Sequence, residues 1–362
     1  MTKARQVGFD TAGIAAVPVV GSREDEEERR RFEAWIGTGS AGEMEYLKRR
    51  NDAGELVRSS LRAAVPWARS VVVCALNYET AQPHSTEPSP EGTGWIARYA
   101  WTRQSERPSD YHKIVLKRLK ALEAELQVSF GPFESRCYVD TGPLVERVYA
   151  KYAGVGWVGK NTCILNQKLG SWLFLGVILT SMELPEEDRA QIAEDRCGSC
   201  RRCIEACPTD ALVAPYQMDA NRCIAYLTIE KRGEIPPELR EGMGRQVFGC
   251  DICQDVCPWN RKAPVGRDAD LRAREELVNP ALEWLGALSE EEFGRIFYGS
   301  PVSRAKFSGL RRNVAIAMGN SGLRRFLAQL EAWSQADDAV LAEAARWAAG
   351  KIENSEGPDR ES

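Results

Sequence analysis

Two stretches decide the fold of the central part of this chain: DRCGSCRRCIEACP at residues 195–208 and FGCDICQDVCPWN at residues 248–260. The first spaces its cysteines as CxxCxxCxxxCP, the run by which bacterial ferredoxins bind a cubane cluster. Three closely spaced thiolates bind three iron atoms of one cluster, whereas the fourth thiolate, beside the proline, reaches a neighbouring cluster. The spacing therefore predicts two [4Fe–4S] clusters.

The remaining ligands come from farther along the chain. Cys250 and Cys253 precede Cys257 and a second proline, and Cys223 stands where a simple repeat would have its first cysteine. We predict cluster 1 on Cys197, Cys200, Cys203 and Cys257, and cluster 2 on Cys207, Cys223, Cys250 and Cys253. Zinc is the competing interpretation, because paired CxxC elements also form tetrahedral zinc sites, but the contiguous run and the two prolines favour iron–sulfur clusters.

The composition narrows the class of protein. Eleven cysteines in a reducing compartment indicate metal binding, catalysis or burial, and the three outside the cluster block (Cys74, Cys137 and Cys163) are predicted to be small buried hydrophobic residues. Only two histidines occur, His84 and His112, which excludes sites built from several imidazoles. The formal net charge of −4 opposes indiscriminate binding of nucleic acid, so such binding would need a local basic patch.

We predict a cytoplasmic protein without a membrane segment. The longest apolar run, residues 172–179, is far shorter than the roughly 20 residues that a helix needs to cross a bilayer. The N-terminal residues lack the charged and then apolar pattern of a secretory signal. Nothing in the sequence therefore directs export.

The chain divides into three predicted parts. Residues 1–186 alternate helical and strand patterns, including a strand at 70–76 and a helix at 111–126, and predict an α/β (α+β) domain with a mixed sheet. Residues 187–263 form a ferredoxin-like domain with two [4Fe–4S] clusters. Residues 264–362 are helical, and their apolar spacing of three and four predicts a pair of helices as in one HEAT-like repeat.

The glycine-rich segment GVGWVGKNT, residues 154–162, leaves two interpretations open. Its glycines allow the backbone to approach a ligand closely, or they form a tight turn between packed elements. The pattern is not GxGxxG and no suitable helix follows it, so a dinucleotide-binding fold is poorly supported.

The chain resembles the epoxyqueuosine reductase family over most of its length. The motifs that carry the resemblance are ARYA (97–100), DYHKIVLKRL (110–119), VDTGPLVER (139–147), GVGWVGKNT (154–162), GSWLFLG (170–176), CIAYLTIEKRG (223–233), FGCDICQDVCPWN (248–260) and LRRNVAIAMGN (310–320). The resemblance implies a cobalamin-binding domain in the first part of the chain and reduction of epoxyqueuosine to queuosine at the wobble position of tRNA. It also implies base-off cobalamin, reduced from cob(II)alamin to cob(I)alamin by cluster 2, and an electron donor such as flavodoxin or ferredoxin.

Two features depart from the family pattern. Residues 101–109, WTRQSERPS, separate ARYA from DYH, which normally lie closer together, so the loop over the cofactor is expected to differ. Ala225 stands where the family usually has a serine before Tyr226. Neither change removes a predicted cluster ligand or the carboxylate of Asp140.

The resemblance also implies particular site residues. Asp140 resembles the proton donor of the family, although the residue pattern alone leaves open that it caps the helix in TGPLVERVYA. Cobalamin contacts are implied for Arg98, Tyr99, Tyr111, His112, Gly156, Gly159, Lys160, Asn161, Ser171, Ala225 and Ile252. Of these, Lys160 and Asn161 would donate to the corrin periphery, and His112 would lie near the cobalt without binding it.

Contacts with tRNA are implied for Lys231, Arg232, Arg304, Lys306, Arg311 and Arg312. A basic stripe in the helical tail suits phosphate binding on an otherwise acidic protein, and a solvated helix face is the alternative. A wobble base must be splayed from the anticodon loop into a pocket, which a tail that grips the stem would assist.

The sequence leaves two alternative functions open. One is a cobalamin-dependent reductase of a small halogenated or epoxide substrate, and the other is an electron-transfer module without catalysis of its own. The first rival is typical of exported enzymes, and no export signal is present. The second would need only a short ferredoxin, which leaves the long segments on both sides of the cysteine block without a role.

Overall fold

The computed structural model describes residues 2–104, 107–108 and 110–354. Its helices are α1 (Thr2–Gln6), α2 (Arg23–Gly37), α3 (Leu61–Ala64), α4 (Tyr111–Phe130), α5 (Glu146–Tyr152), α6 (Arg202–Glu205), α7 (Ile224–Ile229), α8 (Pro237–Arg240), α9 (Ile252–Asp255), α10 (Leu282–Ala287), α11 (Glu290–Ile296), α12 (Lys306–Ser321), α13 (Leu327–Ser334) and α14 (Ala339–Asn354). Its strands are β1 (Thr11–Ala16), β2 (Ser70–Asn77), β3 (Trp95–Ile96), β4 (Thr102–Gln104), β5 (Arg107–Pro108), β6 (Ser135–Tyr138), β7 (Trp157–Val158), β8 (Ile164–Leu165), β9 (Leu173–Thr180), β10 (Gln246–Phe248) and β11 (Arg272–Ala273).

The N-terminal part is built on a four-stranded sheet in the order β1-β2-β9-β6. The predicted combination of helices and strands is confirmed, but the prediction of a mixed sheet is wrong, because all three pairings are antiparallel. Ala16 at the end of β1 pairs with Ser70 at the start of β2. The long connection between these strands therefore re-enters the sheet at the end where it left, which makes the strands antiparallel.

Helices cover both faces of this sheet. Helix α4 packs on one face, where a Cβ atom at Gly176 of β9 would lie 2.6 Å from Val115 Cγ1, so glycine permits the close approach. Helices α3 and α5 pack on the other face. Because β2 is central and covered on both sides, all eight of its residues are buried, which explains its uninterrupted apolar run.

A second apolar core joins segments from all three predicted parts of the chain. It contains β3, α7, β10 and the C-terminal helices α10 to α14, and β3 pairs with β10 in parallel. Asn313 anchors α12 to this assembly, because its side-chain amide donates to the carbonyls of Thr228 and Val247, both at 2.9 Å. The boundaries near 186 and 263 stay a prediction, and the core runs across both.

The C-terminal segment is helical, as its apolar spacing predicts. Helices α12 and α14 pack closely, since a Cβ atom at Gly319 would lie 2.7 Å from Ala348 Cα, and the shorter α13 lies between them in the chain. The HEAT-like arrangement stays a prediction. No helix within the described ranges is long and apolar enough to cross a bilayer.

The insertion at 101–109 contains a β-hairpin. Strand β4 pairs antiparallel with β5, and on its other side with β11. The insertion is therefore joined to the segment that follows the cysteine block. Residues 105, 106 and 109 of the insertion lie outside the described ranges, so its predicted effect on the cofactor loop stays a prediction.

Candidate redox and acid–base site

The eight cysteines of the predicted clusters fall into two groups in space, and all are free thiols. Burial, together with the neighbouring thiols of Cys197 and Cys203, raises the pKa of Cys257 to about 11. Burial also raises the pKa of Cys250, with the thiol of Cys223 adding to the effect. The Cys257 thiol interacts with those of Cys197 and Cys203, and the Cys203 thiol with that of Cys200. The Cys250 thiol interacts with those of Cys207 and Cys223, and the Cys253 thiol with those of Cys163, Cys250 and Cys223. Because Cys163, which is outside the predicted ligand sets, also interacts with Cys223 and Cys257, the assignment of ligands to clusters stays a prediction.

This grouping differs from that of a zinc site. Within the described part of the chain, no three cysteine, histidine, aspartate or glutamate side chains converge closely enough to bind a single metal ion. A zinc ion would draw its sulfur ligands to about 2.3 Å from one point. A cubane binds each thiolate to a different iron atom and keeps the sulfurs farther apart. Neighbouring thiols that do not converge on one point fit iron–sulfur clusters better.

Asp140 lies just after β6 and is positioned by two side chains from α4. Its carboxylate accepts a hydrogen bond from the Tyr111 hydroxyl, and His112 Nε2 lies 3.5 Å from the carboxylate. The Asp140 side chain is 47% exposed, and its backbone has a φ of 58°, in the left-handed region that aspartate tolerates better than most residues. The carboxylate is therefore fixed in orientation and open to a substrate.

The alternative interpretation of Asp140 as a helix cap is wrong. Helix α5 begins at Glu146, and its N-cap residue is Val145. The residues between Asp140 and Val145 form an irregular connection. The side chain of Asp140 is thus free of a capping role at this helix.

The sequence analysis missed a second carboxyl close to Asp140. Glu146 is 9% exposed, and its Oε1 atom has no hydrogen-bond partner among the described residues. Burial and the negative charge of Asp140 together raise the pKa of Glu146 to about 7. The only sequence signal was the position of Glu146 within VDTGPLVER. Glu146 therefore retains a proton at pH values where an ordinary glutamate has lost it.

Two residues that the sequence analysis did not select connect Asp140 to the C-terminal part. Arg58 donates to the backbone carbonyl of Asp140 at 3.4 Å and lies over the ring of Tyr46, 5.7 Å from its centroid. Arg304 lies over the same ring, also at 5.7 Å. The Tyr46 ring between the two guanidinium groups therefore joins residues that are distant in the sequence.

Three aromatic residues implied for the cofactor lie beside Asp140. Tyr111 stacks on His112 with ring centroids 4.1 Å apart and meets Tyr99 edge-on at 6.1 Å. The Tyr99 ring also lies 6.0 Å from the ring of Phe248, and a Cβ atom at Gly249 would lie 3.4 Å from it. Tyr99 therefore contacts both the segment that leads into Cys250 and Tyr111, which binds Asp140.

The two glycines implied for the cofactor serve the packing of the protein itself. A Cβ atom at Gly156 would lie 2.3 Å from the carbonyl oxygen of Leu165, and one at Gly159 would lie 2.0 Å from Leu165 Cδ1. Leu165 is in β8, which forms a hairpin with β7. Both glycines therefore permit close packing within the hairpin, and their implied approach to the cofactor stays a prediction.

Lys160 and Asn161 also bind the cysteine segments. Lys160 Nζ donates to the carbonyls of Gly198 at 2.5 Å and Cys200 at 2.9 Å. The side-chain amide of Asn161 is buried and donates to the carbonyl of Cys253 at 3.2 Å. Both side chains thus hold the cysteine segments, and their implied role as donors to the corrin periphery stays a prediction.

Arg98 and Ser171 are likewise occupied within the protein. Arg98 is buried, pairs with Glu79 at 3.1 Å and donates to carbonyls of the loop at 80–83. Ser171 is buried, and its hydroxyl donates to Gln254 Oε1 at 2.9 Å. Both side chains brace the loops around the site, and their implied contacts with cobalamin stay a prediction.

Ile252 and Ala225 lie on the cluster 2 segment. Ile252 lines a cavity of about 240 Å³ together with His84 and Trp95. Ala225 is half-buried in α7 and packs against the second apolar core. Their contacts with cobalamin stay a prediction.

Three of the implied tRNA-binding residues lie close to one another. Arg304 is 48% exposed, and Arg232 Nη2 donates to its backbone carbonyl at 3.0 Å. Lys231 forms an ion pair with Glu43. Together with Arg58, which shares the Tyr46 ring with Arg304, we call these four cations the basic rim.

The expectation that Arg312 contacts tRNA is wrong. The residue is 1% exposed, and its guanidinium donates to the carbonyls of Lys231 at 2.9 Å, Gly233 at 2.8 Å and Leu227 at 2.6 Å. Burial lowers the pKa of Arg312 to about 10. No phosphate can reach this side chain, which instead ties α12 to the cluster 2 segment.

Arg311 and Lys306 lie elsewhere on α12. The guanidinium of Arg311 lies over Trp333, 5.0 Å from the ring centroid, and over Phe307 at 5.3 Å. Lys306 begins the helix and is exposed. The implied contacts of both residues with tRNA stay a prediction.

Two family models match the chain. The model described as "Epoxyqueuosine reductase QueG, DUF1730" matches residues 58–141, and the model described as "4Fe-4S double cluster binding domain" matches residues 196–260. Together with the two groups of cysteines, these matches define the chain as an iron–sulfur oxidoreductase.

Comparison with known proteins specifies the family. The epoxyqueuosine reductase of Xanthomonas campestris pv. campestris is 38% identical over 350 residues, which cover 96% of this chain and 93% of the relative. The epoxyqueuosine reductase of Synechocystis sp. is 42% identical over 303 residues, 83% of this chain and 98% of the relative. A crystal structure of epoxyqueuosine reductase with an epoxyqueuosine-modified tRNA-Tyr stem loop matches with a TM-score of 0.83 at 29% identity, covering 97% of this chain and 88% of that one. This chain belongs to the epoxyqueuosine reductase family.

Proposed function

We propose that this protein reduces epoxyqueuosine to queuosine at the wobble position of tRNA, with two [4Fe–4S] clusters and cobalamin as cofactors. The observation that carries the proposal is the half-exposed carboxylate of Asp140, oriented by Tyr111 and His112 beside the cluster 2 segment. Conversion of an epoxide to an alkene and water takes two electrons and two protons. The cysteine groups and Asp140 supply the two kinds of group that this chemistry needs.

The residues between Asp140 and the cluster 2 segment fit cobalamin. Tyr99 and Tyr111 meet edge-on, and Tyr111 stacks on both His112 and Phe174, so the two tyrosines would offer the cofactor apolar ring edges. His112 Nδ1 forms a hydrogen bond with Asp110, and His112 Nε2 faces Asp140. Both ring nitrogens therefore have partners within the protein, which agrees with base-off binding of cobalamin without a histidine ligand. Cobalamin at this position would supply the strongly nucleophilic reduced metal that opens an epoxide.

Asp140 acts in this proposal as the general acid. Opening an epoxide develops negative charge on the oxygen, and a positioned carboxyl that donates a proton there contributes about 10²- to 10⁴-fold to the rate. Tyr111 and His112 hold the carboxyl in one orientation. Glu146, whose pKa is raised to about 7 by burial and by Asp140, keeps a second exchangeable proton next to the acid.

The basic rim supplies the contact with tRNA. Arg304 is the most useful of its cations, because its guanidinium is half-exposed although it pairs with Glu230 at 2.7 Å, and it lies on the Tyr46 ring that also contacts Arg58. Arg58 in turn reaches the backbone of Asp140. Phosphates bound at this rim would thus place an unstacked wobble base beside the acid.

Electrons reach the clusters one at a time in this proposal, from a cytoplasmic carrier such as flavodoxin or ferredoxin. Cluster 2 would be the donor to cobalamin, since Tyr99 packs against Phe248 and Gly249 of the cluster 2 segment and against Tyr111, which binds Asp140. Cluster 1 would take the electrons from the carrier, and each turnover would need two of them.

The test is a single-turnover measurement on Asp140→Asn with tRNA that contains epoxyqueuosine. The anaerobically reconstituted protein is reduced, mixed with this tRNA, and the nucleosides are quantified by mass spectrometry. We expect the variant to keep iron, cobalamin and tRNA binding and to lose about 10²- to 10⁴-fold in rate.

The matched control is Asp337→Asn, the same change at an exposed aspartate in the turn between α13 and α14, which should leave the rate unchanged. An Asp140→Asn rate within about twofold of the parent would rule out Asp140 as the acid. Turnover of a small epoxide without any binding of tRNA would favour the alternative function as a reductase of small substrates.

A further inference from the structure

The β7–β8 hairpin contacts both cysteine groups. On the cluster 1 side, Trp157 forms a small apolar cluster with Leu165 and Cys257, and Cys197 packs against it. On the cluster 2 side, Asn161 in the hairpin loop binds the Cys253 carbonyl. One short element from the N-terminal part of the chain therefore lies against both predicted clusters.

The indole of Trp157 carries a buried donor without an acceptor. The residue is 3% exposed, and its Nε1 atom has no hydrogen-bond partner among the described residues. The neighbouring ring of Trp259 fixes the indole edge-on, with centroids 5.0 Å apart at 77°. Leaving a buried N–H without an acceptor costs about 1–3 kcal/mol, so an acceptor is expected where this N–H points.

The thiols nearest to this indole belong to predicted ligands of cluster 1. Cys257 lies in the same apolar cluster as Trp157, and Cys197 packs against that cluster. A sulfur of cluster 1 is therefore the acceptor that the buried N–H of Trp157 would find. Hydrogen bonds to the sulfurs of a cluster are among the factors that set its reduction potential.

We propose that Trp157 donates its indole N–H to a sulfur of cluster 1 and thereby raises the reduction potential of that cluster. Reduction adds one electron to a [4Fe–4S]²⁺ cluster, and the extra negative charge strengthens an N–H···S bond, so the donor stabilises the reduced form more than the oxidised form. Trp157 is then a tuning residue for electron entry. The inference rests on the two clusters of the proposed function, but it does not depend on the substrate.

The test is Trp157→Phe, compared with Trp259→Phe, which makes the same change in the ring that touches Trp157. Both proteins are reconstituted anaerobically, their iron and sulfide contents are measured, and the cluster potentials are determined by redox titration followed by electron paramagnetic resonance. In Trp157→Phe we expect the ratio of reduced to oxidised cluster 1 at a fixed potential to fall up to about tenfold, which is about 59 mV for a one-electron couple. Cluster 2 in this variant and both clusters in Trp259→Phe should keep the parent potentials.

The sign of the shift separates the proposal from a packing effect. A cavity that admits water near cluster 1 would raise its potential, because solvent also stabilises the more charged reduced form, whereas loss of the N–H donor lowers it. An unchanged or raised potential at full iron content would overturn the proposal.

If Trp157→Phe fails to retain cluster 1, the hydrogen bond is tested in the native protein instead. After labelling with indole-¹⁵N tryptophan, reduced cluster 1 should show a ¹⁵N hyperfine coupling, and its absence would overturn the proposal. A protein that binds no iron at all would instead refute the clusters of the proposed function.

Discussion

Replacing Glu146 by Gln tests the carboxyl pair beside Asp140 most directly. Glutamine has almost the same shape as glutamate but cannot ionise. The side chain is 9% exposed, and burial, assisted by the charge of Asp140, raises its pKa from an ordinary value of 4.5 to about 7. The folded protein therefore holds a proton on Glu146 at pH values where the unfolded chain has lost it.

The magnitude follows from the difference between these two pKa values. Each pKa unit corresponds to about 1.4 kcal/mol, so ionised Glu146 destabilises the folded protein by about 3 kcal/mol. Because Glu146 has a higher pKa in the folded than in the unfolded protein, its contribution to the free energy of unfolding is complete below pH 4.5 and is lost as the pH rises through about 7. We expect the Gln variant and the parent to be about equally stable at pH 5, and the variant to be more stable by up to about 3 kcal/mol at pH 8.5.

The assay is anaerobic urea unfolding at both pH values, with pulse proteolysis of the unfolded fraction as the readout. A second measurement, the infrared band of a protonated carboxyl, should decline in the parent with a midpoint near pH 7 and be missing from the variant. A stability difference between the two proteins that does not change from pH 5 to pH 8.5 would refute the reasoning, because it would show that Glu146 does not titrate in this range.

The remaining predictions concern the basic residues and the clusters. Arg312→Met should destabilise the protein by about 3–5 kcal/mol, because it leaves buried carbonyls unpaired. The folded fraction of this variant should bind tRNA with the salt dependence of the parent, and an altered salt slope at unchanged stability would contradict the burial of Arg312. Arg304→Met should weaken tRNA binding and reduce the slope of log K against log salt by about 1, as a filter-binding series would show, whereas an unchanged slope would exclude a phosphate contact. Cys223→Ala should retain about four of the eight irons expected for two clusters, with cluster 1 spectroscopically intact, and loss of cluster 1 instead would contradict the ligand assignment.

The cysteine block shows how much the sequence alone determines. The spacing of Cys197, Cys200 and Cys203 limits how far apart their sulfurs can lie, because consecutive residues span only about 3.3–3.6 Å each. The proline after Cys207 then diverts that thiol to another cluster. In the structure the Cys203 thiol interacts with those of Cys197 and Cys200, as this local spacing predicts, whereas the ligands contributed by distant cysteines stay a prediction.

Arg311 and Arg312 show what the sequence could not determine. They are neighbours in one basic motif, yet Arg311 lies over the ring of Trp333 and Arg312 is buried against backbone carbonyls. Adjacent residues on a helix point about 100° apart, so only one of them can face the second apolar core. Which one does so depends on the position of α7, which is far away in the sequence.

Burial by distant segments also explains why the sequence indicated one carboxyl of the site, Asp140, but not the other, Glu146. The position of Asp140 after β6 agrees with its family motif, so the sequence was enough to select it. Glu146 lies on a helix face that its own surroundings in the chain do not distinguish from a solvated one. Its raised pKa arises from burial and from the nearby charge of Asp140. Sequence spacing therefore determined which atoms can share a cluster, whereas only the tertiary structure decided which charged groups are buried, because burial depends on segments that are distant along the chain.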